Sequence, residues 1–182
     1  MGLQRVVVVA QGKGGVGKTT LAFVLATAIA NRISGQSDYR VACVDADPNT
    51  TLDLALRKAA FPEIISMTSD AEALLPSLRE AQSLADLVLI DLEGSANQAM
   101  LYAAGKSDLV IIPAQPSAFD VREARRTAGV VQQAADLVFQ HLQDGLDGAD
   151  ALTVNAGRGR CLCLFVRLQR DKATRDVVMQ LF

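Results

Sequence analysis

The chain has 182 residues, 50% hydrophobic and 21% charged, enough for one globular domain with a sizeable core. Its formal net charge is −2 and its sequence pI is about 5.4. A surface that is basic all over is thereby excluded, and any binding to DNA has to come from a local patch. Tryptophan is absent and aromatics make up 4% of the residues, which argues against base-stacking platforms. No apolar run approaches the roughly 20 residues of a membrane span. The run Val6–Ala10 between Arg5 and Gln11 is too short for the core of a secretion signal. The cysteines, Cys43, Cys161 and Cys163, form no CxxC pair with metal-site spacing. They read as buried free thiols in a reducing compartment, and the expected location is the cytoplasm.

In chain order, Val6–Ala10 is β-branched, ends at a glycine cluster and reads as a buried strand. Thr19–Arg32 carries Leu21, Val24, Leu25, Ala28 and Ile29 at helical spacing. Val41–Val44 is a second short strand, followed by the turn Asp47–Pro48–Asn49 and a helix over Leu52–Lys58. A helix is predicted over Ala71–Gln82, a strand over Leu87–Ile90 closed by Asp91, and a helix over Ala96–Ala104. Leu109–Ile112 is a strand stopped by Pro113, and Val121–Leu142 a long helix with basic residues near its start. Gly145–Arg160, rich in Gly, Asp and Ala, reads as a mobile loop. Leu162–Val166 is a last strand and Asp171–Leu181 a last helix.

Strands alternating with helices imply an α/β fold: a mostly parallel central sheet with helices on both faces. Ligands in such sheets bind beyond the carboxyl ends of the strands. The polar residues fall there, with Gly12–Thr20 after the first strand, Asp45 and Asp47 after the second, and Asp91 after Leu87–Ile90.

Gly12-Lys13-Gly14-Gly15-Val16-Gly17-Lys18-Thr19 satisfies GxxxxGK[ST], with strand before and helix after. Glycines at Gly12, Gly14, Gly15 and Gly17 let backbone N–H groups curl around phosphate oxygens, with the N–H groups of Val16 and Thr20 in the same stretch. The following helix points its positive end at the same anion. Lys18 supplies a cation for the β- and γ-phosphates and Thr19 a hydroxyl for magnesium. The pattern predicts binding of a nucleotide with Mg2+. No NKxD sequence is present, which argues against a conventional GTPase.

Lys13, at the second position of the motif, marks a deviant Walker A loop, and here the sequence resembles the ParA/MinD family of ATPases. The resemblance extends to Val44-Asp45-Ala46-Asp47-Pro48-Asn49, to Val88-Leu89-Ile90-Asp91, and to Val110-Ile111-Ile112-Pro113-Ala114-Gln115-Pro116-Ser117, in the family's order. It implies a P-loop NTPase fold and an ATP-dependent homodimer that hydrolyses ATP slowly until a partner stimulates it. It implies that Lys13 reaches the partner subunit's phosphates, where a cation in trans stabilises the transferring phosphoryl group as an arginine finger does. Asp45 and Asp91, with Thr19, would hold Mg2+ and its waters. Asp47 would help place the attacking water, unless it serves only as an Asx turn before Pro48. Gly94 completes a DxxG pattern with Asp91 and would sense the γ-phosphate through its N–H. Arg167, where family members often carry Asn-Arg, would lie over the base. The sequence departs from the family after Asp91, where Leu92-Glu93-Gly94 stands in place of prolines. It also stops soon after Asp171–Leu181, so residues 1–182 read as one domain without the further C-terminal helices usual in the family.

Within the family, the most similar members are ParA-type partition ATPases, whose ATP-bound dimer coats DNA and whose turnover is stimulated by a ParB-like protein. The corresponding basic patch would be Arg122, Arg125 and Arg126, close together on one helix face, and such a protein would be nucleoid-associated. Alternatives are a MinD-like membrane switch, which needs a C-terminal amphipathic helix, and a nucleotide-binding scaffold with little turnover. A metal-cluster carrier of related fold is disfavoured by the missing CxxC.

Overall fold

The computed structural model describes residues 5–33, 39–94, 98–141, 153–155 and 162–167. Its elements are β1 (Arg5–Val9), α1 (Lys18–Ile33), β2 (Val41–Ala46), α2 (Thr51–Ala59), β3 (Ile64–Thr68), α3 (Leu74–Leu84), β4 (Leu87–Leu92), α4 (Gln98–Lys106), β5 (Leu109–Ala114), α5 (Ala118–His141), β6 (Thr153–Asn155) and β7 (Leu162–Arg167). They form a sheet of order β3-β2-β4-β1-β5-β7-β6. The run from β3 to β5 is parallel, and β7 and β6 add antiparallel at the far edge.

β1 shows why the sheet is buried on both faces. Val6 and Val8 enter a core with Leu74, Leu78, Met100 and Val131, from α3, α4 and α5. Val7 and Val9, one step along, enter a second core with Ala22, Ala26, Leu52 and Leu56, from α1 and α2. Two apolar cores on opposite faces require strands with no polar side. The sequence reading of a mostly parallel sheet with helices on both faces therefore holds.

Some boundaries move. β3 was not predicted. It lies at the sheet's end, its residues half-buried or exposed, so its sequence lacks the continuous apolar signature of an inner strand. α3 starts later than expected, because Asp70 Oδ1 accepts the N–H groups of Glu72 and Ala73 and holds the preceding residues in a turn. α5 starts earlier than Val121. Ser117 Oγ accepts the N–H of Asp120 at 3.1 Å, capping the helix directly after Pro116. β6 lies inside the stretch read as a mobile loop, while 145–152 and 156–160 lie outside the described residues. So does the expected helix Asp171–Leu181.

Candidate nucleotide-binding site

β1 sits where the strand order turns back, between β4 and β5, and the glycine-rich loop leaves its carboxyl end. Gly15 and Gly17 adopt φ of +77° and +92°, left-handed values that favour glycine and curl the loop back onto α1. Lys18 is the first residue of α1 and is only 7% exposed. Its ammonium makes one long hydrogen bond, 3.4 Å to the Lys13 carbonyl. Burial lowers its pKa, against the raising influence of Asp91, Asp47 and Glu93. A buried cation so weakly bonded fits a site completed by an anion.

Asp45 and Asp91 stand side by side in register on β2 and β4, both fully buried. Their surroundings differ. Asp45 Oδ1 accepts the N–H of Asp47 at 3.1 Å and Oδ2 accepts the N–H of Asp53 at 2.9 Å. It therefore fixes the turn after β2 and the first turn of α2, with lone pairs to spare. Both oxygens of Asp91 are buried without a hydrogen bond of good geometry. Burial raises its pKa to about 6, with Asp45 and Asp47 adding to the rise, while the nearby Thr19 hydroxyl and Lys18 act the other way. An orphaned buried carboxylate beside a second carboxylate and a threonine hydroxyl is a donor set that suits a hydrated Mg2+. Among the described residues no group of three or more His, Cys, Asp or Glu side chains could hold a metal ion. An ion here would therefore need phosphate oxygens and water as further ligands.

Asp47 Oδ1 accepts from both the backbone N–H and the side-chain Nδ2 of Asn49, each at 2.8 Å, so the Asx turn exists. Its charge also acts on Lys18 and Asp91. Gly94 lies against the loop. A Cβ there would come within 3.2 Å of Gly14 Cα, Gly14 N and Lys18 Nζ. Only glycine allows that approach without a shift, and it brings the turn after β4 to the lysine's head group. Glu93 beside it is exposed. A cavity of about 300 Å³ lined by Ala46, Pro48, Asp70, Leu92, Glu93 and Ala99, among others, opens beside these turns, outside the loop itself.

Arg167 does not join the site. β7 runs antiparallel to β5, with Arg167 opposite Leu109 and Leu162 opposite Ala114. Arg167 thus lies at the end of the sheet away from the loop. The expectation that it covers the base, made from the family's Asn-Arg position, is corrected by the antiparallel pairing.

Several residues that hold the loop carried no prediction. Gln11 is fully buried and donates Nε2–H to the Pro113 carbonyl at 3.2 Å. Its Oε1 accepts from the Thr127 hydroxyl at 2.8 Å, and Thr127 Oγ1 accepts the Gly12 N–H at 3.2 Å. Lys13 Nζ donates to Asp120 Oδ1 at 2.6 Å. The Asp120 pKa is lowered by that bond and by the hydroxyl of Ser117. The Ser117-Ala118-Phe119-Asp120 run, an [ST]xx[DE] pattern, was a legible capping signal. Thr127 carried none. Arg122, Arg125 and Arg126 are exposed on α5, whose buried face carries Asp120, Ala124, Thr127 and Val131. Cys43 is buried and its thiol pKa is raised to about 12, chiefly by burial, as a core thiol requires. The side chains of Cys161 and Cys163 lie outside the described residues.

Comparison with known proteins agrees with this geometry. Residues 7–174 match the family model of the CobQ/CobB/MinD/ParA nucleotide binding domain. The chain is 31% identical over 135 residues to the protein ParA of Rhizobium radiobacter, covering 73% of this chain and 59% of that protein. It is 34% identical over 119 residues to the maintenance of carboxysome distribution protein A of Gloeobacter kilaueensis, covering 64% of this chain and 52% of the relative. The chain thus spans less than two thirds of the length of either. Among solved structures, an ATP complex of a Cyanothece McdA variant is similar in fold, with a TM-score of 0.62 and 22% identity over 75% of this chain and 66% of that one. So is a plasmid partition protein from Borrelia burgdorferi, with a TM-score of 0.57 and 15% identity over 78% of this chain and 86% of that one. On the family match across most of its length, joined to a glycine-rich loop, paired aspartates and a mostly parallel sheet, the chain belongs to the CobQ/CobB/MinD/ParA nucleotide-binding family.

Proposed function

We propose that the chain is an ATP-dependent dimerising switch that hydrolyses ATP, of the ParA partition type, acting in DNA segregation. The observation that carries the nucleotide site is the buried, unsatisfied Asp91 carboxylate beside the weakly bonded Lys18 ammonium. Backbone N–H groups of Gly12–Thr20 and the Lys18 ammonium would hold the phosphates, and Thr19, Asp45 and Asp91 would hold Mg2+. When bound, Mg2+ would neutralise part of the phosphate charge. Gly94, which lies against Gly14 and Lys18, would sense the γ-phosphate through its N–H. Asp47 would orient the attacking water. Lys13 would leave its own subunit and stabilise charge on the phosphoryl group in the second copy's site.

The partition reading is supported by the likeness to ParA and by the exposed Arg122, Arg125 and Arg126 on one stretch of α5. These would contact phosphates of nonspecific DNA, and a ParB-like protein would stimulate turnover. The likeness to a carboxysome-distribution protein favours a second reading, in which the cargo is a protein body. No helix among the described residues is long and apolar enough to cross a membrane.

The test compares ATP turnover and ATP-dependent dimerisation of wild type, Lys13→Ala and Lys18→Ala. Lys18→Ala is expected to lose ATP binding. Lys13→Ala is expected to keep binding but to lose turnover by about tenfold or more. Wild-type turnover by Lys13→Ala would remove the in-trans role. Retention of DNA with ATP, ADP and no nucleotide at low and high salt tests the cargo surface. Binding that does not depend on ATP would remove the partition reading.

A further inference from the structure

α2 opens without a cap of its own. Thr50, at the N-cap position, stands at φ of +47°, a left-handed value that is costly for a β-branched residue, and makes no side-chain capping bond. An N-cap side chain ordinarily accepts the N–H two or three residues on. Here the N–H of Asp53 goes to Asp45 Oδ2 at 2.9 Å, so an aspartate of β2 does the capping. The carboxylate of Asp53 is released in turn. In a reciprocal capping box it would accept the Thr50 N–H, but that N–H goes to the Asp47 carbonyl at 2.9 Å. Asp53 Oδ1 instead accepts the Ser66 hydroxyl at 2.7 Å, and both its oxygens accept from Arg57 Nε, at 2.9 and 2.8 Å. The Arg57 bond and the Ser66 hydroxyl lower the Asp53 pKa, against the cost of burial. Arg57 is 64% exposed at its side chain, so its pair with Asp53 holds little by itself. Ser66 is the firmer partner. It lies on β3 in register with Cys43, two residues before Asp45, and ties the first turn of α2 to the strand beside β2.

We propose that Asp53 is a positioning residue for the metal end of the site: its carboxylate, anchored on Ser66 and Arg57, holds the first turn of α2 so that the Asp53 N–H keeps the Asp45 carboxylate in the orientation that serves Mg2+. The proposal rests on the reading that Asp45 and Asp91 hold that ion. The strained entry at Thr50 does not hold the turn in place by itself, because such a conformation persists only where its surroundings enforce it. Without the anchor the turn relaxes, the Asp53 N–H leaves Asp45 Oδ2, and the carboxylate turns more freely. Asp91, whose oxygens accept no bond, has no brace of this kind. Asp45 is therefore the fixed member of the pair, and a groove of backbone and side-chain bonds outside the ion's reach sets its aim.

The experiment titrates a non-hydrolysable ATP analogue into the chain by calorimetry, once with saturating Mg2+ and once with EDTA. The quantity read is the factor by which Mg2+ tightens binding. Asp53→Ala is expected to shrink that factor by roughly three- to tenfold while affinity in EDTA stays within about twofold of wild type. Asp53→Asn, which can still accept the Ser66 hydroxyl, is expected to restore most of the factor. Ser66→Ala, which leaves α2 itself untouched, is expected to shrink it in the same direction and stands in if Asp53→Ala folds poorly. A merely structural role would lower the melting temperature, or weaken the analogue equally with and without Mg2+, and leave the factor unchanged. An unchanged factor in Asp53→Ala, or in Ser66→Ala where that variant stands in, overturns the proposal. So does an Asp53→Asn as impaired as Asp53→Ala. Asp45→Asn separates the two readings. If it loses the Mg2+ factor while Asp53→Ala keeps it, Asp45 still holds the ion and only the positioning role falls. If Asp45→Asn keeps the factor, the metal reading of Asp45 fails and the proposal with it.

Discussion

Asp91 is the residue on which the site's electrostatics turn. It is fully buried and unsatisfied, and its pKa stands at about 6 against an ordinary carboxylate value of 3.8. Because the folded value lies above the unfolded one, the native state binds the proton more tightly. That contribution to stability is full below about pH 3.8 and is lost as the pH rises through about 6. At pH 7.5 the nucleotide-free protein therefore carries a charged carboxylate that destabilises it by about 1–3 kcal/mol. Asp91→Asn should melt higher than wild type at pH 7.5 without nucleotide, and the gap should narrow as the pH falls below about 6 and close only near pH 3.8. The same variant should lose most of the stabilisation wild type gains from ATP with Mg2+. Parallel melting curves across pH 5–8 would show that Asp91 is not the strained group. Gly94 makes a second prediction at this scale. A methyl group there meets Gly14 backbone and Lys18 Nζ at 3.2 Å. Gly94→Ala should weaken ATP binding by about three- to thirtyfold, read by titration calorimetry, with little change in melting temperature without nucleotide.

Among the elements, α5 has the most connections to the site. One face carries Asp120 on Lys13 and, two helical turns on, Thr127 on Gly12 and Gln11. The loop is thereby tied at its start to a helix far away in sequence. Thr127→Val conserves shape but leaves the Gly12 N–H and Gln11 Oε1 without their partner. It should cost about 1–3 kcal/mol in urea unfolding, and Thr127→Ser should restore most of it. Equal stability of Thr127→Val and wild type would show that water replaces the hydroxyl. The other parts of the site come from β2 and β4, whose matched register makes neighbours of Asp45 and Asp91. This was legible, because both aspartates close apolar runs that could only be inner strands. β3 was not, because an end strand with one neighbour needs no continuous apolar run.

For the whole molecule, the topology gives α5 two duties on opposite faces. Its buried side holds the nucleotide loop, and its outer side presents Arg122, Arg125 and Arg126 on a chain of net charge −2. A local basic face on an acidic protein concentrates any attraction to DNA at that one surface. Replacing the three arginines by alanine should abolish DNA retention while ATP binding persists. Single replacements should each lower the slope of log affinity against log salt by about one. An unchanged salt slope would place DNA contacts elsewhere.

The sequence by itself determined the phosphate loop, the paired aspartates, the α/β class and the family. Each depends on local chemistry or on the periodicity of buried strands, and both are written in consecutive residues. Only the tertiary structure decided which aspartate is satisfied and which is orphaned, since that depends on backbone N–H groups from the turn after β2 and from α2 that converge on Asp45. It also removed Arg167 from the site, because strand direction at the sheet edge is not encoded in the strand's own composition. And it brought Thr127 and Asp120 to the loop, a contact across the fold that neither spacing nor propensity specifies.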